Sequence, residues 1–262
     1  MPLRCVTPEQ VERLLRKEEL HVWTVTVSDW LPFLATLAET LNNVERERAA
    51  RFRFERDRRR FTLCRGLLRT LVGNYLSTGA REVEFEFGPQ NKPGLALPAI
   101  FPLEFNLSHS DEAALFAFSA GRRVGVDIER MRPRIDVTGL AKQVFTPDEI
   151  ERISAIPEPE REDLFFTFWT RKEAYIKAVG LGLSAPVREI TVGTGPAAPM
   201  GETGVGRIEG YGACWSLLNL PAQPEHKAAL AVEGRLDREL LRIRALQPPN
   251  AEIPHPQDSR GM

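Results

Sequence analysis

Between Val22 and Val27 every side chain is β-branched or aromatic. Val22, Thr24 and Thr26 share one face and Trp23, Val25 and Val27 the other, which predicts a strand. Upstream, Thr7-Pro8-Glu9-Gln10 supplies a capping residue, a proline at the first helical position and an early acid, so a short helix is expected there. Residues 43–76 carry Phe52, Phe61, Leu63, Leu67, Leu68, Leu71 and Val72 at helical spacing in an arginine-rich background, with Gly79 as the expected stop. Val83, Phe85 and Phe87 alternate with Glu84 and Glu86 and predict another strand. A proline- and glycine-rich loop follows over 88–102, and Lys92 is its one cation. Residues 105–108, 113–119 and 124–128 read as three consecutive strands, the middle one apolar enough for burial on both faces. Helical spacing returns near 137 and runs to Gly180, interrupted at Pro157 and Pro159. Strands are expected at 189–192, 214–220 and 228–233 around a flexible loop at 194–206. The tail from 247 to 262, rich in proline and polar residues, is expected to be disordered.

Strands and helices mix here without a strict βαβ rhythm, which favours the α+β class over a doubly wound sheet. A chain of 262 residues is long enough for two small domains, or one large one, with a core that needs no covalent staple. The formal net charge is −1, which argues against a nucleic-acid binder driven by overall charge. Cys5, Cys64 and Cys214 are widely spaced and form no C-x-x-C pair, so neither a disulfide framework nor a zinc knuckle is indicated and a reducing, cytoplasmic setting is expected. No apolar run approaches the roughly 20 residues of a membrane span. Neither G-x-G-x-x-G nor G-x-x-x-x-G-K-[ST] occurs, which removes the common dinucleotide and P-loop cradles.

Three segments can carry chemistry. Val124-Gly125-Val126-Asp127-Ile128-Glu129 ends a strand with two carboxylates two residues apart, hence on one face. Hard cations such as Mg²⁺ take oxygen ligands of this kind together with substrate phosphates, although acids at strand ends are also commonly just solvated. Phe168-Trp169-Thr170-Arg171-Lys172-Glu173-Ala174-Tyr175-Ile176-Lys177 places Glu173 and Lys177 at i, i+4 with Trp169 one turn before. Taken alone, that pair is an ordinary exposed contact worth a few tenths of a kcal/mol. Asn106-Leu107-Ser108-His109-Ser110 runs a strand into hydroxyls and a histidine, a group that can bind phosphate or merely satisfy a turn. An arginine series, Arg46, Arg48, Arg51, Arg53, Arg56, Arg58, Arg59, Arg60, Arg65 and Arg69, is mostly a solvated face from which a few members can meet phosphate.

The order of these segments is more specific than any one of them. V-G-V-D-I-E followed some 40 residues later by F-W-T-R-K-E-A-Y-I-K, with S-H-S and N-K-P upstream, resembles the paired signature of the phosphopantetheinyl transferases. The resemblance runs from about Val44 to Leu183 and more loosely to Glu233, and is to the larger, surfactin-synthetase-activating type. It implies a monomer of two similar α+β halves related by a pseudo-twofold axis, each a small sheet packed with helices. The boundaries would then be 1–122, 123–246 and a tail at 247–262. It implies a transferase that moves the 4'-phosphopantetheine arm of coenzyme A to a serine of an apo acyl, peptidyl or aryl carrier protein, releasing 3',5'-ADP.

The resemblance further assigns Asp127, Glu129 and Glu173 to Mg²⁺, with Mn²⁺ as a substitute, and makes Asp127, Glu173 and Lys177 the catalytic set. Lys92, Ser108, His109, Lys172 and Lys177 become coenzyme A contacts, with Arg48 and Arg60 near its 3'-phosphate and adenine. Phe61 departs from the small hydroxyl residue of the family pattern. Two rival readings remain, both without support from the paired signature. A Mg²⁺-dependent phosphohydrolase would cleave coenzyme A with no protein acceptor. A nucleic-acid-binding module on the arginine-rich helix would need a basic domain, which Glu45, Glu47, Glu55 and Asp57 dilute. Neither nucleic acid nor membrane is an expected partner.

Overall fold

A computed structural model describes residues 5–16, 19–88, 92–96, 102–132, 135–158, 160–192, 205–210 and 212–249. The helices are α1 (Pro8–Arg16), α2 (Val27–Trp30), α3 (Leu34–Ala38), α4 (Asn43–Ala50), α5 (Glu55–Leu76), α6 (Val137–Val144), α7 (Pro147–Ala155) and α8 (Glu160–Val179). The strands are β1 (Leu20–Thr26), β2 (Phe85–Phe87), β3 (Pro93–Leu95), β4 (Leu103–Ser110), β5 (Ala113–Ala120), β6 (Val124–Arg130), β7 (Val205–Gly210), β8 (Ala213–Leu220), β9 (His226–Glu233) and β10 (Leu241–Ala245).

Two four-stranded sheets, ordered β10-β1-β5-β4 and β6-β9-β8-β7, form the centre of an α+β fold. The pleat sends alternate side chains to opposite faces, and this builds four layers. From β5, Ala114, Phe116 and Phe118 pack with Trp23, Val25 and the Leu63, Leu67, Leu71 ridge of α5. Leu115 and Ala117 point the other way, into a shared core with Val124, Val126, Leu218 and Leu230 of the second sheet. On the far side Ala229, Ala231 and Trp215 meet Phe168, Tyr175 and Ile176 of α8. The order is therefore helix, sheet, sheet, helix, and β5 is buried on both faces because apolar layers lie on each side of it.

Local chemistry sets several boundaries that the pattern alone placed differently. The single helix expected over 43–76 is two, because Asn42 and Glu45 form a capping box on α4 and residues 51–54 leave helical geometry before α5 begins. Helix α5 stops at Ser77, which takes the left-handed conformation at φ 54°, rather than at Gly79. Residues 189–192 are not a strand: the Val192 amide donates to Glu149 Oε1 at 2.8 Å instead of to a ladder. Residues 241–245, Leu-Arg-Ile-Arg-Ala, alternate apolar and charged side chains and form a strand that the expectations above did not include; β10 pairs in parallel with β1 from Leu20↔Leu241 to Thr24↔Ala245. Residues 241–245 thus join the sheet of the N-terminal part, although they follow the C-terminal part in sequence. The loop expected at 194–206 and the tail at 247–262 fall largely outside the described residues; 205–206 open β7.

Two contacts position the site. The free edge of β6 is completed by side chains of β4: Val126 N donates to Asn106 Oδ1 at 2.9 Å, Ile128 N to Ser108 Oγ at 3.4 Å and Arg130 N to Ser110 Oγ at 3.0 Å. The two sheets are joined at this seam without continuous backbone pairing. On the other face of β6, Gly125 lets α8 lie directly on the strand. A Cβ at Gly125 would run into the carbonyl oxygen of Ala174 and stand 2.5 Å from the amide nitrogen of Ala178. Gly125→Ala is expected to cost about 3 kcal/mol by overpacking, read as a lower urea midpoint with an unchanged slope.

Candidate active site

Because α8 lies against β6, the same helix face brings Glu173 and Lys177 to the carboxylates of β6. Asp127 is 2% exposed, and its Oδ1 accepts from Lys177 Nζ at 2.6 Å and from Ser108 Oγ at 2.9 Å. Lys177 Nζ also donates to Ser108 Oγ at 2.9 Å. Asp127 Oδ2 is buried with no hydrogen-bond partner. Two residues on, Glu129 accepts from Ser110 Oγ at 3.0 Å. Burial first and the Asp127 charge second push the Glu129 carboxyl up. Burial and then Asp127 push Glu173 up as well, with Glu129 adding to it and Lys177 opposing. The three acids therefore share one electrostatic pocket with a single ammonium in it.

Among the described residues no group of three or more His, Cys, Asp or Glu stands placed to hold a metal ion as it is. The donor set nevertheless suits a hard cation. It offers oxygens only, with one buried and unpartnered, and carboxylates whose mutual repulsion a positive ion would relieve.

Beside the acids lies a cavity of about 260 Å³ lined by Arg48, Phe61, Arg65, Lys92, His109 and Lys177 among others. Its lining has four full cations, an imidazole and no carboxylate, the composition of a polyanion receptor. Lys92 reaches across from the β2–β3 side, Nζ donating to Ala178 O at 3.3 Å, and burial lowers its pKa. Alternation along β4 separates the roles in S-H-S: Ser108 and Ser110 face β6, and His109 faces the cavity. His109 is exposed at the surface, yet the protein crowded around its ring and then the Arg60 charge lower its imidazole to about 4. Arg48 lies over the Phe61 ring at 5.3 Å, so Phe61 supplies an aromatic wall where a hydroxyl was expected.

Two assigned cations stand elsewhere. Arg60 does not line the cavity; it pairs with Asp57 at 2.8 Å and acts on His109 through its charge. Lys172 is fully buried. Its ammonium is taken by Glu149 Oε2 at 2.8 Å, Val187 O at 2.8 Å and Val144 O at 3.1 Å, and Phe145 covers it. The i, i+5 spacing to Lys177 turns Lys172 to a different face of α8, so it braces α6, α7 and the 185–192 segment instead of meeting coenzyme A. Lys172→Met is expected to lose about 3–5 kcal/mol in urea unfolding while the folded fraction keeps its KM for coenzyme A.

Sequence reasoning did not single out Arg65. It is 6% exposed, lines the cavity, and leaves Nε and Nη1 without hydrogen-bond partners beside a Glu45 already bonded to Arg69 at 3.0 Å. Nothing in the arginine series distinguishes Arg65 until the fold turns one helix face inward. The outer arginines are largely paired within α5, Arg58 and Arg59 with Glu55 and Arg60 with Asp57, which dilutes a nucleic-acid surface.

Residues 21–120 match the family described as 4'-phosphopantetheinyl transferase, N-terminal, and residues 123–231 match the 4'-phosphopantetheinyl transferase superfamily. The 4'-phosphopantetheinyl transferase HetI of Nostoc sp. is 38% identical over 228 residues, 87% of this chain and 93% of that relative. The chain belongs to the 4'-phosphopantetheinyl transferase superfamily. Sfp of Bacillus subtilis is 30% identical over 148 residues, 56% of this chain and 64% of Sfp. A phosphopantetheinyl transferase of Mus musculus, named for L-aminoadipate-semialdehyde dehydrogenase, is 28% identical over 188 residues, 66% of this chain and 60% of the relative. The two matched segments meet at the β5–β6 junction, so the superfamily's two similar halves are the two sheet-and-helix layers described above. No helix among the described residues is long and apolar enough to cross a membrane.

Proposed function

We propose that the cleft between β4, β6, α5 and α8 binds coenzyme A and passes its 4'-phosphopantetheine arm to the serine of an apo acyl, peptidyl or aryl carrier protein. The observation that carries this is the adjacency of a carboxylate-free cationic cavity to three coupled acids. The cavity matches a nucleotide with several phosphates, and the acids match the pyrophosphate that must be broken. Mg²⁺, or Mn²⁺ in its place, held by Asp127, Glu129 and Glu173 would offset charge on that pyrophosphate.

The chain's own groups do the rest. Lys177 and Lys92 both line the cavity and neutralise phosphoryl oxygens, and Ser108 holds Lys177 in register with Asp127. Glu173 accepts the proton of the attacking serine, a role its raised pKa favours. The serine Oγ–P bond forms as the P–O bond to 3',5'-ADP breaks, and no enzyme group is covalently modified. Cys64 lines the cavity, but burial pushes its thiol up to about 12, so it is no nucleophile. One chain contributes both walls, which supports a monomer, and three free cysteines fit a reducing cytoplasm.

We assign Arg48 and His109, both in the cavity lining, to the 3'-phosphate, with the Arg60 charge favouring the neutral His109 imidazole. A charge-assisted contact to phosphate contributes on the order of 1.5–3 kcal/mol. Alanine at Arg48 or His109 is expected to raise KM for coenzyme A roughly tenfold with a smaller fall in kcat, and to penalise dephospho-coenzyme A much less. Equal penalties with both substrates in steady-state assays would move these residues to the pyrophosphate or to the adenine.

A further inference from the structure

The two halves repeat one arrangement: β1, α5, β4, β5 gives the sheet order β1-β5-β4, and β6, α8, β8, β9 gives β6-β9-β8. The cationic cavity lies beside α5 and the end of β4. At the corresponding place beside α8 and the end of β8 there is a second cavity of about 830 Å³, closed on one side by Leu241 and Ile243 of β10.

Its chemistry differs from that of the first. Leu164 and Phe168 of α8 and Leu220 of β8 make an apolar floor. Two buried polar groups are set into the lining without a countercharge. Arg171 is 7% exposed; its Nε donates to Asn219 Oδ1 at 2.7 Å and its Nη1 to Val192 O at 3.4 Å, both neutral acceptors. Burial and then the charge of Arg152 push this guanidinium down. His226 is 6% exposed, and neither ring nitrogen has a hydrogen-bond partner. The acids of the lining are at the exposed mouth, where Asp163 is held by Lys227 at 2.5 Å and Glu160 opens α8.

A buried cation with only neutral acceptors and a buried imidazole with none are costly unless an anion completes them. Of the cations in the lining, Lys227 is held by Asp163, Arg238 is exposed and Arg152 lies over the Phe168 ring, which leaves Arg171 as the buried guanidinium, and its fork matches one carboxylate. The apolar floor asks for hydrocarbon rather than a nucleotide. We infer that this second cavity is a binding site for an organic anion with an apolar body, a carboxylate carried on a short acyl chain, distinct from the coenzyme A cleft.

Titration calorimetry of the full chain with sodium octanoate tests this, with acetate and octanol as probes of the charge and the chain separately. One octanoate per protein is expected, with acetate and octanol each at least roughly tenfold weaker and saturating coenzyme A without effect. Arg171→Gln should weaken octanoate about tenfold. Two gentler variants keep the test sound if that one misfolds. His226→Phe removes the orphaned nitrogens at similar volume, and Thr167→Trp fills the cavity from the half-buried face of α8. Both should lose octanoate binding, and His226→Phe should keep parental phosphopantetheine transfer. Absence of saturable binding, octanol binding as well as octanoate, displacement by coenzyme A, or unchanged affinity in both gentler variants would each overturn the inference.

Discussion

Glu173→Gln is expected to yield a folded protein whose transfer rate is lower by roughly a thousandfold, about 4 kcal/mol of barrier, at saturating Mg²⁺ and coenzyme A. The amide cannot take the serine proton and adds no negative charge for a cation. Its stability should move the other way. Burial and the neighbouring Asp127 raise the Glu173 and Glu129 pKa values, so the folded state holds these protons more tightly than the unfolded chain. In the absence of divalent cation their contribution is therefore fully present below the ordinary glutamate range and is lost as pH rises through the raised values. Glu173→Gln should flatten that decline and be at least as stable as the parent at neutral pH, a trade of stability against function. Asp127→Asn should lose transfer to a similar degree. A variant at either position that keeps near-parental turnover would remove the acids from the mechanism; urea midpoints measured across pH, with and without Mg²⁺, check the stability half.

Lys177→Met is expected to reduce kcat/KM for coenzyme A by about a hundredfold or more, through both kcat and KM. Among the described residues Lys177 is the one cation that touches the acid cluster, at 2.6 Å from Asp127, and it also lines the cavity. Its removal strips charge from the phosphoryl site and leaves the 2%-exposed Asp127 carboxylate with only a hydroxyl partner. Divalent cation should bind this variant more tightly, since a competing positive charge is gone. A Lys177→Met enzyme with normal kcat and a raised KM would instead confine Lys177 to substrate binding.

Much of this is legible in the sequence, and the reasons are local. Alternation marked β1, an apolar run fit for burial on both faces marked β5, and capping chemistry marked α1, because all three depend on near neighbours in sequence. The acids of V-G-V-D-I-E and the Glu173/Lys177 pair were readable as two faces, but that those faces meet follows from Gly125, whose missing Cβ admits α8. The Leu-Arg-Ile-Arg-Ala alternation of β10 was there to be read and was missed, but its partner was not, because β1 lies more than 200 residues earlier and no local pattern encodes that pairing. Lys172 and Arg65 show the same limit on helices. The lysine next to Glu173 turns out to be a buried brace, and two arginines among ten, Arg65 and Arg69, turn inward, because helix phase and packing decide which face is wet.

Intact-mass measurement of a panel of apo acyl, peptidyl and aryl carriers, incubated with the protein, coenzyme A and Mg²⁺, tests the central claim most directly. At least one carrier should gain a single phosphopantetheine on its serine, with 3',5'-ADP released in equal amount and no gain with Asp127→Asn. Unchanged masses across the panel, or coenzyme A cleaved with no carrier modified, would contradict it.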